Sequence, residues 1–213
     1  MKNIAILSAS LLLISSCSNE FEFDFSFGGS EPYDSNFKDA FVSTYKPMES
    51  TPILFKSANI YDGIGGELLN YDLLIVDGKI KEIGQFISRS DVEVIDASNK
   101  WVTPGIIDIH SHMGVYSAPG VRTSSDGNEA TAPVTAEVWA EHSVWTQDPQ
   151  FALALKGGVT TFHVLPGSAN LFGGRGATFK NISQNTIQAM KFPNAPHSLK
   201  MACGENPKRV YGN

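Results

Sequence analysis

The sequence predicts an α/β protein in which a small β-layer leads into βα units of a parallel sheet or barrel. Three observations carry this. From Pro52 to Asn99, short β-type runs alternate with tight turn signals, the strongest being Asp77-Gly78 between runs 72–76 and 79–83. The stretch 101–112, WVTPGIIDIHSH, is a short apolar strand that turns at Pro104-Gly105 and ends in a His-x-His pair. A helical pattern at 148–156 then precedes Val159-Thr-Thr-Phe-His-Val-Leu165, a β-branched run of the kind found in a buried parallel strand.

In chain order, residues 1–16 come first. Lys2, an apolar core and Ser15-Ser16 make a secretion signal, too short to span a bilayer as a mature helix. Ile14-Ser-Ser-Cys17 resembles a bacterial lipobox, which implies cleavage before Cys17 and lipid attachment to its sulfur. The alternative is an ordinary signal with an incidental cysteine. Acylation would leave Cys203 without a partner, so no disulfide framework is expected. The anchor predicts a protein exported to the bacterial cell envelope, outer membrane or periplasm. Residues 17–51, with Phe21-Glu-Phe-Asp-Phe-Ser-Phe27 and Gly28-Gly29, fit a flexible tether; the Phe alternation also suits a strand with one apolar face.

Residues 52–103 form the small β-domain, with runs 53–60, 72–76, 79–83 and 92–95 as its strands. From 104 to 213 the texture is that of βα units. Residues 113–133 read as a long loop and 135–142 as a helix. A second helix over 148–156 is capped by Asp148 with Pro149 in its first turn and stopped by Gly157-Gly158. Further strands are expected at 177–180 and 199–203.

Along a strand the side chains alternate, so Asp108, His110 and His112 should share one face. Two imidazoles side by side suit a divalent metal such as zinc, and the bland alternative is two histidines hydrogen-bonded near a sheet edge. The net charge of −6 and the lack of a Lys/Arg run disfavour a nucleic-acid partner, and none is expected.

Ala58-Asn-Ile-Tyr-Asp-Gly63, Val76-Asp-Gly-Lys-Ile80, the 102–112 stretch and Gly157-Gly-Val-Thr-Thr161 together resemble the amidohydrolase superfamily. Leu165-Pro-Gly-Ser-Ala-Asn170, Gly173-Gly-Arg-Gly176 and residues 204–212 place the likeness nearest its imidazolonepropionase-related branch. The resemblance implies a metal-dependent hydrolase of carbon–nitrogen bonds other than ordinary peptide bonds, in a cyclic amide or small-peptide-like substrate. It implies one or two divalent ions, most simply Zn2+, on a (β/α)8 TIM-type barrel with a composite β-sandwich domain. His110 and His112 match the first-strand ligands, and Asp108 would orient a ligand imidazole. Glu205 stands where some members place a metal-bridging residue, with a helix-capping glutamate as the alternative; Lys180 is a weaker candidate, as a carbamylated bridge.

A barrel of this kind takes roughly 250 residues. The barrel is therefore expected to be incomplete, lacking the later histidines, the general-base aspartate and the C-terminal part of the β-domain. The function reading is a hydrolase present as a truncated chain; the alternatives are an inactive remnant, or half of a split enzyme needing a second polypeptide or an oligomer. Of the other polar residues, His163 reads as a satisfied core or loop-facing group, His142 as exposed, and Glu137 and Glu141 as a solvated face. Arg175, in a tight glycine-rich loop, reads as a salt-bridge partner or a contact for an anionic substrate group.

Overall fold

The computed structural model describes Asp39 and residues 41–212, which fall into two compact units. Cys17, the signal segment and most of the tether lie outside the described residues. Among the described residues no helix is long and apolar enough to cross a membrane.

The first unit contains Ser50–Asn59 and Leu69–Lys100. Its sheet is built on β1 (Ile53–Tyr61), β2 (Glu67–Val76), β3 (Lys79–Gly84) and β4 (Glu93–Asp96), in the order β3-β2-β1-β4. Strands β2 and β3 pair antiparallel, and both turn residues, Asp77 and Gly78, have positive φ (53° and 71°), as the Asp-Gly signal requires. Leu54, Leu74 and Ile87 form the core, with Val76 and Val92 against it. Asp72 is buried there and accepts from Lys56 Nζ and from the backbone N–H groups of Ser57 and Ile87. Burial alone would raise its pKa, but these three donors and the Lys56 charge outweigh it and hold the carboxyl below its ordinary value.

The second unit holds the described residues up to Glu49, Ile60–Leu68 and everything from Trp101 onward. Strand β5 (Trp101–Val102) is followed, after Pro104-Gly105, by β6 (Ile106–Ser111). Helix α1 (Pro149–Lys156) has Asp148 as its N-cap, accepting from Gln150 N, and Pro149 in its first turn. Strand β7 (Val159–Val164) then pairs parallel with β6. This β6–α1–β7 passage is the βα unit that the sequence predicts. Phe162 and Val164 put their side chains into a core with Val115, Ala140, Phe151, Ala177, Phe179 and Met190.

Beyond β7 the parallel succession stops. Strand β8 (Phe172–Lys180) runs antiparallel to β7, and β9 (Ser198–Met201) antiparallel to β8, giving the order β6-β7-β8-β9. The connection 165–171 is too short for a parallel crossover, which needs a dozen residues or more, so β7 and β8 can only form a hairpin. The expected run of parallel barrel strands is thus reduced, among the described residues, to one parallel pair within a mixed sheet. β6 is also far from a strand buried on both faces: Ile106, Ile107 and Ile109 are 54%, 54% and 77% exposed.

Two shorter expectations are corrected. The helix read over 135–142 is absent; Val134 and Trp139 form parallel bridges to Phe172 and Arg175, and only Ala140–Ser143 makes a 3-10 turn. Thr135 N donates to Phe172 O and Arg175 N to Val138 O, so pairing with β8 overrides helix propensity. Glu141, read as part of a solvated face, is fully buried, with Oε2 2.7 Å from Lys191 Nζ. Lys191 also donates to Asp39 and to Phe41 O, and Ser43 Oγ donates to Lys191 O. The described end of the segment read as a tether is therefore tied down. Two short helices, α2 (Ile187–Met190) and α3 (Glu205–Tyr211), complete the unit.

The Asp148 carboxylate accepts from Gly114 N (2.9 Å), Ala118 N (3.2 Å), Gln150 N (3.0 Å) and Gln150 Nε2 (2.9 Å). Asp148→Ala should cost about 2–4 kcal/mol, combining a lost helix cap with the stranded, buried N–H of Gly114. Urea unfolding checks this, and Asp148→Asn, which keeps one acceptor oxygen, should fall between the two.

Candidate functional site

The site begins on β6. Asp108 pairs in register with Phe162 and Ser111 with Val164, and the register shifts between them, so three steps on β6 face two on β7. Such a bulge breaks strict alternation. Asp108 makes a different contact from the one the sequence suggests. Its carboxylate accepts from the backbone N–H of His110 at 3.0 Å, a local turn, and it makes no hydrogen bond to an imidazole among the described residues. The bulge leaves Ser111 buried and delivers His110 and His112 at the C-terminal end of the strand, their ring centroids 5.3 Å apart and nearly perpendicular.

His112 is held from one side. Its Nδ1 lies 2.9 Å from the Leu165 carbonyl, which can only accept, so the proton sits on Nδ1 and the Nε2 lone pair is left for a ligand. The Tyr116 ring stands edge-on to His112, with centroids 5.7 Å apart. The Tyr116 hydroxyl meets Asn128 Nδ2, and Asn128 Oδ1 accepts from Ala169 N, which ties this loop to the one that supplies Leu165. Burial pushes the Tyr116 phenol above its ordinary pKa, against the Asn128 hydrogen bond, so it remains protonated.

His110 meets a residue that sequence reasoning passed over. Lys200 Nζ, from β9, lies 3.1 Å from His110 Nε2. It is a long-range contact that no local pattern marks, made by a β9 residue whose register partner on β8 is Gly174. Lys180, the lysine singled out in the sequence, is elsewhere, with Nζ over the rings of Tyr45 and Phe192.

Glu205 is exposed and is the first residue of α3, but the N-cap is Gly204 and no side chain makes a cap hydrogen bond, so the capping alternative is not found either. Among the described residues no group of three His, Cys, Asp or Glu side chains gathers as a metal site, so Glu205 does not join His110 and His112. The donor chemistry fits a divalent ion at two imidazoles, one of them in the ligating tautomer, and the described set ends there. Of the remaining histidines, His142 is exposed with its ring edge-on to Phe41, and His197 Nδ1 donates to Gly176 O. His163 bridges Thr178 Oγ1 (2.8 Å) and Ser198 Oγ (2.6 Å), the satisfied group anticipated from its mid-strand position.

No family model matches the chain. Amidohydrolase tasK of Hapsidospora irregularis is 31% identical over 199 residues, 87% of this chain and 20% of that protein. The dihydroorotases of Pelotomaculum thermopropionicum and Ligilactobacillus salivarius are 36% and 43% identical over 80 and 70 residues, covering 38% and 32% of this chain and 19% and 15% of theirs. Among solved structures, an amidohydrolase from Thermotoga maritima aligns with a TM-score of 0.69 and 41% identity, over 75% of this chain and 41% of that one. The chain thus spans about a fifth or less of these curated relatives and two-fifths of the solved one.

The surroundings of His163 give a pH test. Burial, helped by nearby His197, holds its pKa below the ordinary 6.5, so the fold favours the neutral ring. With the folded pKa depressed, this contribution is fully present above about 6.5 and is lost as the pH falls through the folded value. Urea unfolding between about pH 7 and about pH 5 should show the loss. His163→Gln should flatten that part of the profile.

Proposed function

Because the chain belongs to the amidohydrolase superfamily, we propose that it takes part in metal-dependent hydrolysis of a carbon–nitrogen bond, with His110 and His112 as the first two ligands of a divalent ion, most simply Zn2+. The observation that carries this reading is the His112 Nδ1 contact with Leu165 O, which presents Nε2 as a lone pair beside His110. A divalent ion, when bound, lowers the pKa of a bound water and polarises a carbonyl oxygen. The dihydroorotase relatives favour a cyclic amide as substrate, and small-peptide-like amides are the wider class.

The chain's own residues set how the ion is received. The Leu165 carbonyl and the Tyr116 edge fix the His112 ring. Asp108 holds the backbone at His110 in place. Lys200 gives the carbamylation idea a better seat than Lys180. As an ammonium it would repel a cation at His110 Nε2. A neutral amine there can add to carbon dioxide, forming an N–C bond and releasing a proton to solvent, and the resulting carbamate would offer anionic oxygen. Glu205 is not drawn into this reading.

The rest of the ligand set and the general base are proposed to come from further polypeptide, in cis or as a partner. This rests on the two-imidazole count among the described residues and on the relatives' greater length. The reading includes export and lipid attachment at Cys17, supported by the lipobox-like Ile14-Ser-Ser-Cys17.

Zinc titration of the 213-residue polypeptide should give weak binding, at about micromolar Kd or above, and His110→Asn or His112→Asn should remove it. Much tighter binding would show that this chain completes its own coordination. Binding indifferent to both substitutions would remove the metal reading. For the anchor, Cys17→Ser should move the protein from the membrane fraction to the soluble one, and unchanged partition would refute lipidation.

A further inference from the structure

One polar cluster has no part in the proposed metal site. His163 on β7, Thr178 on β8 and Ser198 on β9 lie side by side on one face of the sheet. His163 is directly opposite Thr178, and Ser198 is opposite Gly176, two residues along the same strand. His163 Nδ1 is 2.8 Å from Thr178 Oγ1, and Nε2 is 2.6 Å from Ser198 Oγ. The imidazole reaches Ser198 only because Gly176 carries no side chain. A Cβ there would sit 2.6 Å from Ser198 Oγ and 2.7 Å from His163 Nε2.

A nucleophile, a base within hydrogen-bond reach and a third group that orients the base are the parts of an activated serine. We propose that Ser198 is a nucleophile towards carboxylic esters and similarly activated acyl groups, with His163 as its general base and Thr178 as the positioning residue. This is a second activity, independent of the metal at His110 and His112.

The tautomer that serves this chemistry has the proton on Nδ1, donated to Thr178 Oγ1, and the Nε2 lone pair accepting the Ser198 hydroxyl proton. His163 is kept neutral at neutral pH by its burial and by nearby His197, so the lone pair is available. Ser198 is partly exposed, and the residue opposite it on β8 is Gly176, which brings no side chain against its oxygen. In the acylation step Ser198 Oγ bonds to the carbonyl carbon while the bond from that carbon to the leaving group breaks. The hydroxyl proton moves to His163 Nε2 and from there to the departing group. Water, deprotonated by the same nitrogen, then cleaves the serine ester and restores the hydroxyl. A threonine in the third place orients the ring without a countercharge for the imidazolium, so the predicted reactivity is below that of a serine paired with a buried carboxylate system.

The test uses the whole 213-residue polypeptide, metal-free, with a fluorophosphonate probe. Ser198 Oγ should displace fluoride and form a stable phosphonate ester, located by peptide mass spectrometry. Ser198→Ala should abolish the adduct, and His163→Gln should slow labelling roughly 100-fold, the scale of a lost general base. Should His163→Gln fail to fold, Thr178→Val removes only the orienting contact and should slow labelling severalfold. Absence of an adduct on Ser198 in the folded protein overturns the proposal, as does a labelling rate that neither substitution changes. Because metal is left out, either result stands apart from that of the zinc titration.

Discussion

The second unit depends on one buried carboxylate. Asp148 caps α1 and at the same time receives Gly114 N and Ala118 N from the segment that leaves β6 just after His112. A buried carboxylate is tolerated only when donors surround it, and here four do so. The consequence is geometric. The helix that follows the candidate ligands in the chain is locked to the turn that positions them, so packing of Phe151 into the core and placement of the His112 backbone are one event.

A second constraint acts on β8. Gly173, Gly174 and Gly176 cost backbone entropy in a strand, and a strand normally avoids them. Here the absent side chain of Gly176 lets residues on β7 and β9 touch across β8. His163 on β7 reaches Ser198 on β9 above Gly176, and separately Lys200 on β9 meets His110 on β6. The glycine-rich stretch, read from sequence as a tight loop, is a strand thinned so that polar side chains two strands apart can meet. Arg175 within it packs over Trp139 and donates to Ala136 O.

Much of the fold was legible because its signals are local. The Asp77-Gly78 turn, the Asp148-Pro149 cap and the Gly157-Gly158 stop depend on a few neighbouring residues, and each is found where expected. The His-x-His pair was legible for the same reason. What sequence could not supply depends on register. A bulge between Asp108 and Ser111 cannot be read from alternation, and neither can the contact Asp108 makes, with the His110 backbone N–H. The segment 135–142 reads as helical, yet the backbone groups of Thr135 and Val138 found partners on β8. Glu141 carries no mark of burial in sequence, since its partner Lys191 lies fifty residues later.

The two chemistries read on this sheet differ in what holds them, and the difference bears on how each could arise. The His112 tautomer is fixed by a backbone carbonyl, that of Leu165, which survives any side-chain change at that position as long as the loop keeps its path. The Ser198–His163–Thr178 row is held by side chains alone and requires a glycine between them. A backbone-fixed imidazole such as His112 tolerates a change of side chain at the residue that supplies the carbonyl, whereas a side-chain row is lost with one methyl group at Gly176. Within a single sheet, the His112 tautomer is therefore insensitive to the side chain at position 165, whereas the serine row depends on the glycine at 176.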